Sequence, residues 1–188
     1  MSQTTKKALA ASLRKLLSQK PLDKITVTDI AEDCEVNRQT FYYHFQDIYD
    51  LLDWFFLNEA SDALAGKKTY DTWQQGFLQI FEYVLENRIL INHVYHSISR
   101  EQVERYLYEV TYHLLIDVVE EQSTGILVRE EDKKFIADFY KYAFVGLMLD
   151  WIRTGMKESP RIILERLGTL IQGDISAALE RFSTNARN

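Results

Sequence analysis

The sequence predicts an all-α protein in which an N-terminal three-helix head joins a C-terminal helical bundle, with about nine helices altogether. Its 188 residues include only 7 Gly and 2 Pro, and strand-rich folds need many more turn residues. Apolar side chains recur at three- and four-residue spacing along most of the chain, as they do on the buried faces of helices. Helix-capping signals occur at Asp47, at Ser99 with Gln102, and at Ser159 before Pro160.

Cysteine usage and hydropathy exclude several protein classes. Cys34 is the single cysteine, which excludes an internal disulfide and a multi-cysteine metal site. We expect it to be a small core residue. Apolar runs stay short of the roughly 18 residues that a membrane helix needs, and the N-terminus leads into no secretory-type apolar core. The sequence therefore predicts a cytoplasmic protein without membrane association.

The charge is distributed unevenly along the chain. The net charge of -6 argues at first against nucleic acid as a partner. However, residues 1–46 carry seven Lys/Arg against five acids, whereas residues 47–188 carry 15 against 23. A mildly basic head on an acidic body is typical of a DNA reader whose remaining surface does not bind DNA indiscriminately. This split favours a DNA-binding domain at 1–46 and a second domain at 47–188.

The head contains a predicted helix-turn-helix. A first helix over residues 4–19 carries one apolar stripe: Leu9, Leu13, Leu16 and Leu17. Pro21 ends it, and a second helix is predicted over 28–34 with Thr28 as its N-cap. Glu35 and Val36 form the turn, and Asn37 caps a third helix over 38–44.

The third helix shows an unusual outer face. Phe41 and Phe45 lie four residues apart and are predicted to enter the core. The remaining side chains are polar or aromatic: Arg38, Gln39, Thr40, Tyr42, Tyr43 and His44. Arginine pairs with guanine and glutamine with adenine, while tyrosine and histidine commonly hold phosphates. This composition favours DNA recognition over a merely solvated surface.

The predicted contacts divide into two kinds. Base edges are assigned to Arg38, Gln39 and Thr40. Phosphate contacts are assigned to a larger set: Lys6, Thr28, Asn37, Tyr42, Tyr43 and His44. Lys6 lies at a helix start, where its charge opposes the helix dipole, so a phosphate would stabilise it there. For Arg14 and Lys15, phosphate contact and a solvated face remain equal alternatives.

Residues 26–31, 36–45 and 51–52 together resemble the DNA-binding domain of the TetR family of transcriptional regulators. The resemblance covers about residues 6–52 and depends on an Ile-Ala helix followed by a Thr-x-Tyr-x-His-Phe helix. Two positions depart from the family. Glu35 stands where Gly is common, which suggests a slightly different turn, and Ile48 stands where a phosphate-binding Lys is common. Residues 41–52 resemble the branch that includes dihydroxyacetone-kinase operon regulators.

The remaining chain is predicted to be helical. A fourth helix begins at the cap Asp47, runs to Ala63 and is broken by residues 65–68. The resemblance implies that this helix links ligand state to the spacing of two heads. Further helices are predicted over about 71–85, 87–98, 99–124, 130–156 and 160–182. Residues 183–188 form a polar tail.

The last two predicted helices are apolar on more than one side. Such a helix must bury both sides, either at the centre of the monomer or against a partner. The resemblance implies a homodimer with a four-helix interface, two helices from each protomer. The residues assigned to it are Tyr142, Val145, Gly146, Leu149, Leu167, Leu170, Ile171, Ile175 and Leu179. A dimer also places two recognition helices in successive major grooves, about 34–36 Å apart.

The body is rich in aromatic and histidine side chains. The resemblance implies an effector cavity, and the residues assigned to it are Trp73, Phe77, Phe81, His93, Tyr95, Tyr112, His113, Phe144 and Trp151. Large aromatic side chains fill an ordinary core equally well. His93 and His96 have the spacing of a metal pair but lack a firm third ligand. We therefore assign no metal and no cofactor.

The sequence thus predicts a DNA-binding transcriptional regulator of the TetR type, with double-stranded operator DNA as its partner. Enzyme motifs such as a Gly-rich phosphate loop, His-Glu-x-x-His or Gly-x-Ser-x-Gly do not occur. Control by a small-molecule effector is one interpretation. The alternative keeps the same head and assigns control to a protein partner. Some members of the resembled branch activate transcription in this way, so the sequence does not decide between repressor and activator.

Overall fold

The computed structural model describes residues 2–63, 69 and 71–183. In this part of the chain the elements are helical throughout, which confirms the all-α prediction. The α-helices are α1 Ser2–Leu17, α2 Val27–Asp33, α3 Arg38–His44, α4 Ile48–Ala63, α5 Trp73–Glu86, α6 Arg88–Tyr95, α7 Arg100–Gln122, α8 Glu130–Arg153, α9 Pro160–Ile171 and α10 Asp174–Phe182. A 3-10 turn, Leu22–Lys24, connects α1 to α2.

The chain divides into two compact units. The head unit comprises residues 1–59 and 86–106, and the body unit comprises residues 60–85 and 107–188. The head unit is therefore larger than the predicted domain at 1–46, because it includes most of α4 and all of α6. Residues 86–106 are distant in sequence from the helix-turn-helix but belong to the same compact unit.

The head unit has a core built from α1 to α4. The α1 stripe predicted from the sequence is buried at Leu9, Leu13 and Leu17. Ile30 of α2 and Phe41 of α3 are buried with it. Full burial of an aliphatic or aromatic side chain contributes about 1.5–3 kcal/mol, so this stripe accounts for much of the stability of the unit.

The start of α2 differs from the prediction. The N-cap is Thr26, whose hydroxyl accepts a hydrogen bond from the Asp29 amide at 3.1 Å. The Asp29 carboxylate in turn accepts from the Thr26 amide at 2.8 Å, which completes a capping box. Thr28 lies inside the helix and is half-buried, so the assignment of Thr28 as N-cap is wrong.

Two other predicted helix starts are confirmed. The Asp47 side chain accepts from the Asp50 amide at 2.9 Å at the start of α4. Before α7, the Ser99 hydroxyl accepts from the Gln102 amide at 3.2 Å, and the Gln102 side chain accepts from the Ser99 amide at 3.2 Å. The predicted break at residues 65–68 and the tail at 184–188 lie outside the described residues.

The last predicted helix is divided in two. The chain leaves α9 at Gln172, whose backbone is extended, and Gly173 takes a left-handed conformation at φ 78° before α10 begins. A positive φ ends an α-helix, and Gly adopts it without a steric penalty. The single helix expected over 160–182 is therefore wrong at this point. None of the described helices is long and apolar enough to cross a membrane.

The body unit has an aromatic core. The rings of Phe77 and Phe144 stack at 4.1 Å, and Trp73 meets both of them edge-on. Phe81 and Trp151 form a second pair at 5.0 Å. All five side chains are buried, so α5 and α8 are held together mainly by ring contacts.

Candidate nucleic-acid interface

The cap of α3 fixes how this helix leaves the turn. The Asn37 side-chain oxygen accepts hydrogen bonds from the Thr40 amide at 2.8 Å and from the Thr40 hydroxyl at 3.0 Å. This confirms Asn37 as N-cap. The same bonds engage both side chains, and Thr40 is half-buried. Any DNA contact by these two residues therefore competes with, or adds to, an existing local bond.

The two faces of α3 differ as the sequence indicates. Phe41 and Phe45 are buried, with ring centroids 6.0 Å apart. Arg38 and Gln39 are exposed on the first turn. Tyr42 is 58% exposed and Tyr43 is 83% exposed. Large aromatic side chains with this much exposure are uncommon on an inert surface.

His44 lies beside Tyr43 at the end of α3. The two rings meet edge-on with centroids 4.9 Å apart. His44 is half-buried, whereas Tyr43 projects into solvent. The pair is thus available as a phosphate-binding group at the exposed end of the helix.

The turn between α2 and α3 contains Glu35 in a left-handed conformation, at φ 55°. The Val36 amide donates to the Ala31 carbonyl at 2.9 Å and closes the turn. Glu35 thus takes the backbone conformation that Gly adopts most easily. A side chain with a Cβ is strained there by about 1–2 kcal/mol.

Lys6 lies over aromatic rings instead of projecting freely. Its ammonium is 5.1 Å from the centroid of the Phe45 ring and 6.0 Å from that of Trp54. A cation over a ring face is stabilised by about 0.5–1 kcal/mol at an exposed site. This contact offsets the unfavourable helix dipole that motivated a phosphate contact for Lys6. It also links the start of α1 to the end of α3 and to α4.

Arg14 and Lys15 both have carboxylate partners within the head unit. Arg14 pairs with Glu59 of α4 at 3.0 Å, and Lys15 pairs with Asp33 of α2 at 2.5 Å. Their charges join helices within the unit. Both residues are exposed, as on a solvated face, and the charge of each already has a carboxylate partner in the protein.

The start of α4 lacks a basic side chain, as the departure at Ile48 predicts. The Asp50 carboxylate accepts from the Gln46 amide at 2.9 Å, and Asp47 accepts from the Asp50 amide. Two carboxylates therefore cap the start of α4. Ile48 itself is half-buried.

Sequence reasoning missed Thr26 and the ion pair that supports its capping box. Lys20 donates to the Asp29 carboxylate at 2.9 Å. This hydrogen bond, together with those from Thr26, lowers the pKa of Asp29 below its ordinary value. The pattern Thr26-x-x-Asp29 is itself a capping-box signal and would have identified the cap.

The residues assigned to an effector cavity do not form one group. Trp73, Phe77, Phe81, Phe144 and Trp151 fill the aromatic core of the body unit. Among the others, Tyr112 is half-buried in the body unit and His113 is exposed there, whereas His93 and Tyr95 belong to the head unit. The five buried rings are thus core residues, and Trp73 among them also lines a groove at the start of α5.

Two open grooves lie among the described residues of the body unit. One, of 530 Å³, lies between the start of α5 and α9, and polar side chains such as Gln74, Thr169 and Gln172 line it. The other, of 270 Å³, lies between α8 and α10 and is lined mainly by Phe135, Phe139 and Phe182. Neither was predicted from the sequence, because each is formed by helices that are distant in sequence.

The residues assigned to a dimer interface divide by exposure. Val145, Leu149, Leu167, Ile175 and Leu179 are buried within the chain and are core residues. Ile171 is half-buried. Tyr142, Gly146 and Leu170 are exposed, Leu170 by 72%. The exposed apolar surface of α8 also includes Phe135, Phe139 and Leu147, which were not assigned.

The histidine pair considered for a metal is used otherwise. Nδ1 of His93 is 2.7 Å from the Leu17 carbonyl oxygen, while His96 is exposed. Within the described residues, no group of three His, Cys, Asp or Glu side chains has a metal-binding arrangement.

Two family models match this chain. Residues 9–53 match bacterial regulatory proteins of the tetR family, and residues 71–173 match a transcriptional regulator C-terminal region of the same family. One relative, the HTH-type dhaKLM operon transcriptional activator DhaS of Lactococcus lactis subsp. lactis (strain IL1403), is 31% identical over 91 residues. That alignment covers 48% of this chain and 49% of the relative, so the chain matches about half of the relative's length.

Solved structures extend the similarity to nearly the whole chain. Dihydroxyacetone kinase operon activator DhaS has a TM-score of 0.66 at 25% identity, covering 96% of this chain and 98% of that one. A TetR transcriptional regulator from Streptococcus agalactiae 2603V has a TM-score of 0.61 at 21% identity, covering 90% and 94%. The similarity of residues 41–52 to dihydroxyacetone-kinase operon regulators is thereby confirmed. The chain belongs to the TetR family of DNA-binding transcriptional regulators, and it is not an enzyme.

Proposed function

We propose that this regulator reads a specific operator sequence in double-stranded DNA through the exposed face of α3. The observation that supports this is the contrast between the buried Phe41 and Phe45 and the exposed Arg38, Gln39 and Tyr43 on one short helix. Arg38 forms no ion pair with any described residue, so its guanidinium is available to a base edge.

The contacts follow from position on the helix. Arg38 and Gln39, on the first turn, enter the major groove and bond base edges, while Thr40 contributes its methyl group. Tyr42, Tyr43 and His44 bond phosphates, and Lys6, Thr28 and Asn37 bond the flanking backbone. Because Asp47 and Asp50 cap α4, the phosphate contacts end at α3.

The proposed functional form is a homodimer that uses α8 and α9. Phe135, Phe139 and Tyr142 lie on one exposed side of α8, at spacings of four and three residues. A Cβ added at Gly146 would meet nothing within 4 Å, so a partner helix can approach closely there. Contiguous apolar surface of this kind marks a protein interface, and a second copy provides the matching surface.

Two modes of control are proposed as alternatives. A small-molecule effector would bind in the 530 Å³ groove beside Gln74 and Thr169, whose volume is in the range of ligand sites. The filled aromatic core favours the other mode, in which a protein partner binds the body. By similarity to relatives that are described as operon activators, this chain activates the transcription of an operon.

The DNA-binding face can be tested on duplexes selected from a random-sequence library by the full chain. We expect Arg38→Ala to weaken binding by about 1–3 kcal/mol and to relax specificity at one base pair. Lys6→Ala should weaken binding to all DNA sequences alike. It should also reduce the slope of log affinity against log salt concentration by about 1. Arg153→Ala removes the same charge from α8 and is the matched control. Binding by Arg38→Ala and Lys6→Ala that equals that of the control would exclude the α3 face.

A further inference from the structure

The last turn of α1 needs a partner from elsewhere in the chain. The final carbonyls of a helix have no N–H donor inside the helix and must be satisfied by other donors. The Arg14 carbonyl accepts from the Ser18 amide, and the Leu16 carbonyl accepts from the Lys20 amide. The Leu17 carbonyl would accept from residue 21, but this residue is Pro21 and has no N–H.

His93 of α6 supplies the missing donor. Its Nδ1 lies 2.7 Å from the Leu17 carbonyl oxygen, and Leu17 is fully buried. Since a carbonyl oxygen only accepts, Nδ1 of His93 must carry the proton. The two residues are 76 positions apart in the sequence, so this bond joins α6 to the end of α1.

Arg14 forms a second connection one turn earlier on α1. Its guanidinium donates to Glu59 at the end of α4 at 3.0 Å and to the Asn87 side chain, just before α6, at 3.1 Å. Apolar packing of α6 against α1 lies between the two polar connections, with Leu90 and Val94 buried. The end of α1 is thus held from two sides.

The position of α1 determines that of α2, and α2 in turn carries α3. The Ser12 hydroxyl donates to the Ile30 carbonyl at 3.4 Å, and the Cys34 thiol donates to the Ala8 carbonyl at 3.3 Å. Lys15 pairs with Asp33 at the same end of α2 as Cys34. A displacement of α1 relative to α6 would therefore move the recognition helix with it.

We propose that His93 and Arg14 are positioning residues for DNA recognition, and that residues 86–106 complete the DNA-binding unit. This inference rests on the proposed α3 face. Neither residue contacts DNA. Each holds α1 on α6, so that α3 is presented in one orientation. If this hold is lost, the binding-competent fraction of the folded protein falls, and apparent affinity falls by the same factor.

The His93 connection is tested with the full chain and the library-selected duplex. His93→Leu removes the donor, and we expect about tenfold weaker binding, equivalent to ~1.4 kcal/mol, at an unchanged salt slope. His93→Asn keeps a donor near the position of Nδ1 and should bind within about twofold of the parent chain. His96→Leu removes an exposed histidine of the same segment and is the control. Circular dichroism at the assay temperature checks that each variant is folded.

The Arg14 connection is tested without removing a positive charge. Glu59→Gln breaks the ion pair, and we expect about fivefold weaker binding at the same salt slope. If Arg14 acted on phosphate instead, the loss of a nearby carboxylate would tighten binding. If His93→Leu does not fold, Glu59→Gln alone tests whether α1 must be held on α6 for DNA binding.

The possible outcomes separate the two proposals. Folded His93→Leu and Glu59→Gln variants with lower thermal stability but parental affinity would overturn the positioning role. If His93→Leu and His93→Asn lose the same DNA affinity, the hydrogen bond from His93 to Leu17 has no role in positioning α1. If Arg38→Ala also binds like the parent chain, the α3 face is wrong. If Arg38→Ala is weakened, only the positioning inference fails.

Discussion

Thr26 and Asp29 bond each other reciprocally at the start of α2. The Thr26 hydroxyl accepts from the Asp29 amide at 3.1 Å, and the Asp29 carboxylate accepts from the Thr26 amide at 2.8 Å. Lys20 adds a charge-assisted hydrogen bond to the same carboxylate at 2.9 Å. One half-buried carboxylate thus fixes where the second helix begins.

Loss of the Thr26 hydroxyl should lower the stability of the head. We expect Thr26→Ala to reduce the free energy of unfolding by about 1 kcal/mol, as is usual for an N-cap. Thr28→Ala, two residues later inside α2, should change it by less than about 0.5 kcal/mol. Urea denaturation followed by circular dichroism compares the two. A larger loss in Thr28→Ala than in Thr26→Ala would contradict the capping box.

The stability of the head should depend on pH through Asp29. Its hydrogen bonds to Lys20 and Thr26 lower its pKa in the folded state below the ordinary 3.8. A depressed carboxyl pKa stabilises the fold above that ordinary value, and this contribution is lost as the pH falls through the folded-state pKa. The relevant window is therefore below about pH 4.

Asp29→Asn isolates this contribution. We expect the variant to be less stable than the parent chain at about pH 7 and the difference to shrink toward about pH 2. Glu32→Gln, on the exposed side of the same helix, is the matched control, because Glu32 forms no ion pair with any residue that the structure describes. The free energy of unfolding is measured across the acid range. A difference between parent and Asp29→Asn that is constant with pH would exclude the mechanism.

Local signals in the sequence predicted most of the helices and the polar face of α3. Ser99 and Gln102 carry their capping pattern in four consecutive residues, and the structure contains that box. Phe41 and Phe45 are placed in the core by their four-residue spacing alone. Such features depend on neighbours in the chain, so sequence patterns determine them.

Features that depend on distant residues could not be predicted in this way. The hydrogen bond between His93 and Leu17 spans 76 positions, and no periodicity indicates it. The same holds for Phe77 and Phe144, because stacked core rings and cavity walls have identical sequence patterns. Gly173 lies inside the single helix predicted over 160–182, because helices tolerate an isolated Gly and local spacing does not reveal its positive φ.

Glu35 should be replaceable by Gly with a gain in stability. Its φ of 55° strains a residue with a Cβ, and its side chain is exposed, so nothing buried is lost. Gly relieves the strain but adds freedom to the unfolded chain, which leaves a net gain of about 1 kcal/mol. Thermal and urea denaturation of Glu35→Gly measure this gain.

Met156 provides the contrast for Glu35. It has nearly the same φ, 56°, but its side chain is buried. Met156→Gly loses about 1.5–3 kcal/mol of burial and should destabilise the chain overall. If Glu35→Gly also lowers stability, the left-handed conformation at Glu35 is not strained in solution.

A charge on the exposed side of α8 should separate the proposed dimer. Phe139 is 62% exposed at the centre of the apolar surface formed with Phe135 and Tyr142. We expect Phe139→Glu to sediment as a monomer, because a buried, unpaired carboxylate at an interface costs several kcal/mol. Its operator affinity should fall as well, since a monomer presents one recognition helix to a two-part site.

Leu127→Glu is the matched control for this prediction. Leu127 is 68% exposed and lies between α7 and α8, outside the proposed interface. It should remain a dimer with parental operator affinity, which shows that the effect of Phe139→Glu comes from its position. Sedimentation equilibrium over a range of concentrations gives the dissociation constant of each variant. Leu170→Glu places a charge on the exposed Leu170 of α9, which is the other helix of the proposed interface. If Phe139→Glu and Leu170→Glu both remain dimers as tight as the control, protomers associate through another surface.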